Sequence, residues 1–312
     1  MIVNSSPVVS LVTPAFNLAS YLGQATDSVL AQDYPNIDYL VIDDGSTDDT
    51  PMVLERYAGQ VRTYRHQNMG QAQTLNQGWN AATGRYLAYL SADDILEPNC
   101  ISAMVQALEA DEGVVCAYPN SDLIDSYGTV IKRAVCAPFD LERTVVDQEC
   151  RIGPGAVFRR SAFLEVGGWN PTYKLAPDRD FWIRLSSKGR FHFDERPLAK
   201  YRLHTGATSY REVSDAATKE YLDVLDAFFA SERARDLLPR KDEAYAKAHI
   251  VRARNAFRSG AFAAGLRHYR TAQQLHPPLR GLSLKAALVR TVVSKPVRMA
   301  ASRFRWIGSR KA

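Results

Sequence analysis

The first 120 residues alternate between two hydrophobic patterns, one typical of buried strands and the other typical of amphipathic helices. Short apolar runs predict strands at residues 8–12, 37–42, 61–65, 85–90 and 114–118. The segments between them predict helices over residues 18–30, 70–82 and 98–110, with a further helix opened by the capping residues Ser46, Thr47 and Asp48. Because strands and helices alternate, we expect a mainly parallel sheet covered by helices, with ligands beyond the carboxyl ends of the strands.

The rest of the chain is less regular. Residues 120–210 contain glycine-rich turn signals, an aromatic helix over 178–188 and short strands near 190 and 200. From residue 214 onward no clear strand is found, and helices are predicted over 215–230, 242–259 and 261–275. We therefore expect a main domain over residues 1–213, with halves at 1–120 and 121–213, and a helical extension over 214–312.

Charge is distributed unevenly along the chain. The net charge of +5 combines +15 over residues 240–312 with −10 over the remainder. A basic C-terminal region suits an anionic surface, and we expect a membrane or a pyrophosphate-bearing substrate rather than nucleic acid. Residues 282–292, followed by Phe304 and Trp306, predict a basic amphipathic helix that lies on the inner face of the cytoplasmic membrane. Packing on the main domain and formation of a homodimer are the alternatives.

Composition narrows the class of protein. Apolar residues make up 46% of the 312 residues and charged residues 23%, which is typical of soluble globular proteins. No run approaches the roughly 18 uncharged apolar residues that a membrane-spanning helix needs. The sequence does not begin like a secretory signal, and its four cysteines form no C-x-x-C pair. We expect a cytoplasmic protein without a zinc site or disulfides.

Two acidic pairs follow predicted strands, Asp43-Asp44 after the second strand and Asp93-Asp94 after the fourth. Carboxylates at the ligand-binding edge of an α/β sheet can hold magnesium or manganese, which complete their shells with phosphate oxygens and water. Aspartate is also common in turns and at helix N-termini, which would explain a single pair. Two pairs on alternate strands favour a site for a nucleotide diphosphate.

An ordered set of motifs over about residues 8–210 resembles the family-2 glycosyltransferases. The motifs are Thr13–Asn17, Ser28–Pro35, Val41–Asp48, Asn68–Gly70 with Asn76, Gly78, Ala82 and Gly84, Ser91–Asp94, Gly167–Trp169, Pro177–Arg184 and Tyr201–His204. The resemblance implies a fold of glycosyltransferase-A type, in which a Rossmann-like nucleotide-binding half (1–120) joins an acceptor half (121–213). It does not cover the residues after 214.

The resemblance implies a pocket for the nucleotide of a sugar donor. In it, Asp44 would accept a hydrogen bond from the ring N–H of uracil or thymine, which favours a UDP- or dTDP-sugar. The other residues of the pocket would be Pro14, Phe16 and Asn17, with Asn68 and Gly70 in a loop beside it. The alternatives are helix capping by Asp44, core packing by Pro14 and Phe16, and a purely structural loop.

The resemblance also implies a divalent metal, Mn²⁺ or Mg²⁺, at the second acidic pair. Asp94 is favoured for direct coordination and Asp93 for the ribose or the metal, although the order could be reversed. His204 would complete the metal shell or contact phosphate, or it is a histidine without a role. Relatives carry an acid two positions before Asp93, where this chain has Ser91, so one possible ligand is missing. The metal would offset charge on the departing diphosphate.

Asp178 matches the catalytic base of the family, although relatives have Glu-Asp where this chain has Pro177-Asp178. Displacement at the anomeric carbon of a sugar needs an acceptor hydroxyl that loses its proton as it attacks, and a carboxylate beside it can accept that proton. An exposed aspartate at a helix N-terminus is the alternative. Trp169 and Asp180 are candidates for acceptor binding, although Asp180 could equally cap its helix.

Together these features predict an inverting, metal-dependent glycosyltransferase, with inversion implied by the resemblance alone. It would move a sugar from a nucleotide-diphospho-sugar to a hydroxyl of a glycan or lipid-linked glycan in surface polysaccharide synthesis. A sugar-phosphate nucleotidyltransferase would need a glycine-rich basic loop after the first strand, which Thr13–Asn17 lacks. A nucleotide-sugar-binding or scaffold module with weak catalysis is the second hypothesis, because Ser91 and Pro177 replace acids.

Overall fold

The structure is a computed structural model that describes residues 6–206 and 213–280. Within them the strands are β1 (Val9–Ala15), β2 (Ile37–Asp43), β3 (Arg62–Arg65), β4 (Tyr86–Tyr89), β5 (Ile95–Leu96), β6 (Val114–Ile124), β7 (Val130–Lys132), β8 (Val157–Arg159) and β9 (Arg190–Arg202). The α-helices are α1 (Ala19–Leu30), α2 (Thr50–Glu55), α3 (Gln71–Ala81), α4 (Cys100–Ala110), α5 (Leu141–Val145), α6 (Arg160–Val166), α7 (Pro177–Leu185), α8 (Glu220–Phe229), α9 (Lys241–Arg258) and α10 (Phe262–Leu275). Short 3-10 helices cover Ala217–Lys219, Glu232–Arg240 and Pro277–Arg280.

The strands form one mixed sheet in the order β3-β2-β1-β4-β8-β6-β9-β5, with β7 paired to β6. The neighbours β3, β2, β1 and β4 are parallel, and so are β6 and β9. The antiparallel ladders are shorter and join β8 to β4 and β6, β5 to β9 and β7 to β6. This architecture confirms the predicted α/β fold with a mainly parallel sheet.

Several strands of the sheet differ from the sequence prediction. β5, β7 and β8 have two, three and three residues, too few for a hydrophobic period to reveal. The strands predicted near 190 and 200 are one strand, β9, of 13 residues. Its register on β6 shifts on both sides of Asn120, and such an irregularity interrupts the alternation of side chains on which the prediction rests.

Two apolar clusters hold the helices on the sheet. Leu11 of β1 belongs to one cluster with Leu22 of α1, and the adjacent Val12 belongs to the other with Trp79 of α3. Because successive side chains of a strand point to opposite faces, helices cover both faces of the sheet. The second cluster is largely aromatic, and the ring of Trp79 stacks on Phe181 of α7 at 6.0 Å between centroids. A ligand can therefore reach the sheet at the ends of its strands.

The chain divides into two compact units. The first takes in the described residues up to Leu141 and those from Cys150 to 206, and the second takes in Glu142–Glu149 and the described residues from 213 on. The segment Glu142–Glu149, which the sequence analysis placed in the acceptor half, therefore groups with the second unit. Its Asp147 accepts a hydrogen bond from Lys247 Nζ at 2.5 Å, a long-range ion pair that no local pattern reveals.

The second unit is helical over residues 213–280, with no strand in this range. α9 and α10 approach closely at Gly265, where a Cβ atom would lie 2.5 Å from the ring of Phe257. His268 of α10 bonds to Asp215 at 2.7 Å, and its Nδ1 lies 3.0 Å from Nδ1 of His249. No helix of the described residues has the length and hydropathy needed to cross a bilayer. The amphipathic helix predicted over 282–292 lies outside the described residues, as do Phe304 and Trp306.

Candidate active site

Parallel strands bring the predicted site residues to one edge of the sheet. β1 ends before Phe16, β2 ends before Asp44, and β4 ends shortly before Asp93 and Asp94. The N–H of Asp44 donates to the carbonyl of Ala15 at 2.8 Å, which joins the ends of the first two strands. Because the carboxyl ends of neighbouring parallel strands share an edge, both acidic pairs lie where α/β sheets bind their ligands.

Asn17 links the loop after β1 to the loop after β2. Its side-chain oxygen accepts hydrogen bonds from the N–H groups of Thr47 at 2.8 Å and Asp48 at 3.3 Å, and its own N–H donates to Ser46 Oγ at 2.9 Å. Asn17 has a φ of 54°, a left-handed conformation that asparagine adopts more readily than most residues. The side chain of Asn17 therefore fixes the loops after β1 and β2 relative to each other at the edge of the sheet.

The two apolar candidates of the nucleotide pocket differ in exposure. Pro14 is buried within β1, opposite Ile42 of β2, so it packs in the sheet. The ring of Phe16 is 44% exposed and is available to a planar base. Of the two, Phe16 has the environment that a base-binding residue needs.

The carboxylate of Asp44 is buried and holds the loop between β3 and α3. Its Oδ1 accepts a hydrogen bond from the N–H of Met69 at 2.7 Å, and its Oδ2 accepts one from the N–H of Gly70 at 2.9 Å. His66 Nδ1 lies 3.4 Å from Oδ1. Each carboxylate oxygen has a second lone pair, so these bonds still leave capacity to accept a hydrogen bond from the ring N–H of a nucleobase. The contact joins residues 25 and 26 positions apart in sequence, so no local pattern predicts it.

Glycines shape the same loop. Gly45 has a φ of 75°, and a Cβ atom there would lie 2.7 Å from the backbone nitrogen of Asn68, so both the conformation and the space require glycine. Gly70 has a φ of 89° directly before α3. The side chain of Asn68 is exposed, and it is the backbone of this residue that packs against Gly45.

The second acidic pair is held differently. Asp94 is buried, and its Oδ1 accepts a hydrogen bond from the N–H of Arg202 at 2.9 Å. Asp93 Oδ2 lies 2.9 Å from Nε2 of His204. Since the N–H of Gly206 donates to Nδ1 of His204, the proton of the neutral ring is on Nε2 and is donated to Asp93. Burial, followed by the charge of Asp93, raises the pKa of Asp94 well above its usual range.

The residues present fit a divalent cation only in part. The described residues contain no group of three or more histidine, cysteine, aspartate or glutamate side chains that could hold a metal ion. Asp94 accepts a hydrogen bond from the N–H of Arg202 at one oxygen, and Asp93 accepts one from His204 at one oxygen. Two carboxylates are nevertheless what Mg²⁺ or Mn²⁺ needs when phosphate oxygens and water supply the other ligands. His204 is bound to Asp93 and would have to rotate before it could coordinate a metal.

Asp178 lies in the first turn of α7 and is half-buried. Burial raises the pKa of its carboxyl group, against a smaller opposing effect of Arg179. Burial, and then the charges of Asp178 and Asp94, raise the pKa of the Tyr89 hydroxyl well above its usual range. The charges of both carboxylates therefore act on the hydroxyl of Tyr89 at the end of β4.

The two acceptor candidates are both buried. Trp169 is only 4% exposed, with its ring packed against Trp79, so its face is not available to a sugar. Asn76 holds the backbone of Trp169 through two hydrogen bonds of 2.7 and 2.8 Å, a contact 93 residues apart in sequence. Asp180 is buried and bonds to Arg184 at 2.7 and 3.0 Å. Arg184 also donates to the carbonyl of Gly168, so Asp180 is connected to this loop through Arg184.

The ordered motifs and the strand-end site agree with a match to a known family. A sequence model of glycosyl transferase family 2 matches residues 10–167, about half of the chain. The protein belongs to this family. The resemblance predicted from its motifs is thereby confirmed.

Curated relatives of this family-2 chain include longer proteins. An uncharacterized glycosyltransferase of Rickettsia felis is 32% identical over 213 residues, which cover 64% of this chain and 35% of the relative. Chondroitin synthase of Escherichia coli is 28% identical over 211 residues, which cover 66% of this chain and 30% of that enzyme. The chain thus spans about a third of the length of these relatives.

Solved structures share the fold of this family-2 protein. S. aureus TarS in complex with UDP-GlcNAc has a TM-score of 0.56 at 17% identity, covering 87% of this chain and 92% of that chain. A mannosyltransferase of Pyrobaculum calidifontis in complex with GDP-Man and Mn²⁺ has a TM-score of 0.59 at 18% identity, covering 96% of this chain and 84% of that chain. These likenesses establish the fold of glycosyltransferase-A type.

Proposed function

We propose that this family-2 protein is an inverting glycosyltransferase that uses a nucleotide-diphospho-sugar donor and a divalent metal. The observation that carries the proposal is the second acidic pair after β4, where Asp94 is buried with a backbone hydrogen bond from Arg202 and Asp93 is bound by His204. A single displacement at an anomeric carbon needs acids that hold the metal of the diphosphate and a base for the acceptor hydroxyl, and Asp178 in the first turn of α7 is the candidate base.

The donor nucleotide binds at the carboxyl ends of β1 and β2. Phe16 offers an exposed ring to the base, and Asp44 retains lone pairs for a ring N–H, which favours a UDP- or dTDP-sugar. Asn17, Asn68 and Gly70 shape the surrounding loops. TarS, with its UDP-GlcNAc, is a protein of the same fold that holds a uridine donor, which supports this preference.

Asp94 and Asp93 would hold the metal, with His204 as a further ligand if it leaves Asp93. A bound Mn²⁺ or Mg²⁺ would offset charge on the diphosphate. The residues of this chain then have two tasks. The backbone N–H of Arg202 and the ring of His204 keep the acidic pair in place through hydrogen bonds of 2.9 Å, and Asp178 accepts the proton of the acceptor hydroxyl. The hydroxyl oxygen forms a bond to the anomeric carbon as the bond from that carbon to the diphosphate breaks.

The acceptor is a hydroxyl of a glycan or lipid-linked glycan in surface polysaccharide synthesis. Chondroitin synthase, named for a polysaccharide, is similar over 66% of this chain, which supports a glycan acceptor. The charge of +15 over residues 240–312 supports a position on the inner face of the cytoplasmic membrane, where a lipid-linked acceptor would be within reach.

A panel of UDP-, dTDP- and GDP-sugars, each with Mn²⁺, Mg²⁺ or EDTA, tests the proposal. Thermal shift measures binding, because a ligand that binds the folded state raises the melting temperature. Release of the nucleoside diphosphate measures turnover. We expect one donor class to give both signals only with metal. Binding without turnover across the panel would instead indicate the nucleotide-sugar-binding module that Ser91 and Pro177 leave open.

A further inference from the structure

Arg202, the last residue of β9, lies beneath the second acidic pair and is only 1% exposed. Its backbone N–H donates to Oδ1 of Asp94 at 2.9 Å, and its Nε donates to the backbone carbonyl of Asp93 at 2.8 Å. One residue therefore holds the carboxylate of one acid and the main chain of the other. Burying a guanidinium is costly unless its hydrogen bonds are made, so these contacts are strongly constrained.

The other end of the guanidinium reaches two further segments of the first unit. One terminal nitrogen donates to the backbone carbonyl of Asp125 at 3.2 Å, in the turn between β6 and β7. The second donates to Oε1 of Gln24 on α1 at 2.7 Å. The guanidinium carbon also lies 4.8 Å from the ring centroid of Tyr21, in the geometry of a cation–π contact. Three segments distant in sequence thus meet on one side chain.

The partners of this guanidinium are neutral. They are two backbone carbonyls and an amide oxygen, and among the described residues no carboxylate oxygen forms a hydrogen bond or ion pair with it. Its positive charge is therefore not cancelled by direct contact and acts through space on Asp94. The ring of Tyr21 extends the assembly, because it packs on His204 at 4.8 Å between centroids, and His204 binds Asp93.

We propose that Arg202 is a positioning residue of the donor site, which sets the geometry of Asp93 and Asp94 for a divalent cation and couples it to α1 and to the turn between β6 and β7. The inference rests on the proposed function, since it names what prepares that site for its metal and diphosphate. Lysine cannot replace arginine here, because an ammonium group lacks the planar fork that satisfies several acceptors at once. Gln24 contributes to the same positioning, because its amide oxygen accepts a hydrogen bond from a terminal nitrogen of the guanidinium.

The test measures the Mn²⁺ concentration that gives half-maximal binding of UDP, with GDP as a second probe, by isothermal titration calorimetry on the full chain. For Arg202→Lys we expect this midpoint to rise at least about tenfold, and for Gln24→Leu about threefold. Arg196→Lys is the matched control on the same strand, because Arg196 is exposed and forms its ion pair with Asp194; its midpoint should equal that of the wild type. A merely structural role would lower the melting temperature or the number of binding sites without moving the midpoint.

The outcomes separate the inference from the proposed function. If the wild type binds neither nucleotide in a Mn²⁺-dependent way, the proposed function fails, and the inference fails with it. If the wild type binds a nucleotide in a Mn²⁺-dependent way and both variants have the same Mn²⁺ midpoint as the wild type, only the role of Arg202 is overturned. Should Arg202→Lys not fold, as judged by circular dichroism, Gln24→Leu decides alone, because Gln24 is exposed on α1 and its replacement leaves the core intact.

Discussion

The two acidic pairs have the same sequence pattern and opposite surroundings. In the first pair, Asp44 accepts two backbone N–H groups from another loop, and Asp43 accepts the N–H of Ser46 at 2.8 Å within its own turn. In the second pair, Asp94 receives one backbone hydrogen bond and Asp93 receives one from His204. The first pair connects two loops through Asp44, although Asp43 Oδ2 is buried without a hydrogen-bond partner within the described part of the chain, whereas the second pair is held by one backbone N–H and one histidine.

This difference shows that position after a strand brings a carboxylate to the binding edge but does not decide its use. Its use depends on how many donors the surrounding backbone supplies. Charge-assisted hydrogen bonds from N–H groups stabilise an ionised carboxylate within the protein. A buried carboxylate with few such bonds is held at a cost to stability, and a ligand of opposite charge can offset that cost. The following substitutions test the contrast.

The largest effect is expected for Asp94→Asn. Loss of the carboxylate should abolish Mn²⁺-dependent nucleotide binding and lower transfer by about a thousandfold, the scale of a lost electrostatic contact in a transition state. Because burial raises the pKa of Asp94, the ionised group destabilises the fold above that pKa, and the neutral amide should raise the melting temperature in EDTA. Calorimetry and thermal melts check both effects. Normal donor and metal binding by the variant would remove Asp94 from the metal site.

The next effect concerns Asp178, a carboxylate outside both pairs. Asp178→Asn should keep donor binding and lower kcat by about a hundredfold, since a positioned base contributes on that scale. Burial raises the pKa of Asp178, so the acid limb of the kcat–pH profile should lie above that of an exposed aspartate. By the same linkage, the wild type loses stability as pH rises through this pKa, and the variant should be more stable at neutral pH.

Asp180→Asn is the control for that experiment, two residues along the same helix. It removes the charge that attracts Arg184, whose two hydrogen bonds end on one oxygen of Asp180, and should lower the melting temperature while each folded molecule keeps its turnover. If Asp178→Asn turns over normally and Asp180→Asn does not, the base is Asp180. Steady-state kinetics normalised to the number of nucleotide-binding sites would separate the two.

A smaller effect is expected for Asp44→Asn. The amide group would turn an N–H donor toward the N–H of Met69 or Gly70, and leaving such a buried group unpaired costs about 1–3 kcal/mol. The free energy of unfolding should fall by that amount, opposite in sign to Asp94→Asn, and donor affinity should fall about tenfold, the equivalent of one hydrogen bond. Urea denaturation and nucleotide titration measure the two quantities.

Asp48→Asn serves as the control for that pair of effects. Asp48 also accepts backbone hydrogen bonds, from Ala19 and Thr50 at 3.0 Å each, but unlike Asp44 it is exposed to solvent. The variant should lose stability and keep donor affinity. A loss of donor affinity in both variants would mean that the loops, and not the carboxylate of Asp44, determine binding.

The sequence could predict the order of strands and helices and the edge where the acids meet, because both follow from local periodicity and from the rule for parallel strands. It could not predict burial that depends on distant partners. Trp169 is buried where Asn76, 93 residues away, binds its backbone. Asp180 is buried beside Arg184, which also binds the backbone carbonyl of Gly168. Arg202 lies within the motif Tyr201–His204, but nothing in that pattern distinguishes an exposed arginine from a buried one.

The smallest effect is expected for Asp43→Asn. The amide oxygen can keep the hydrogen bond from Ser46, so the turn survives, and what is lost is the attraction to Arg65, whose Nε lies 3.2 Å from Oδ2. Since the side chain of Arg65 is largely exposed, the pair contributes about 0–1 kcal/mol, and the free energy of unfolding should fall by no more than that. Donor affinity and the Mn²⁺ midpoint should stay within about twofold of the wild type, because no bond to the loop after β3 is removed. A loss of metal dependence in this variant would overturn the contrast, since it would show that the first acidic pair, and not the second, holds the cation.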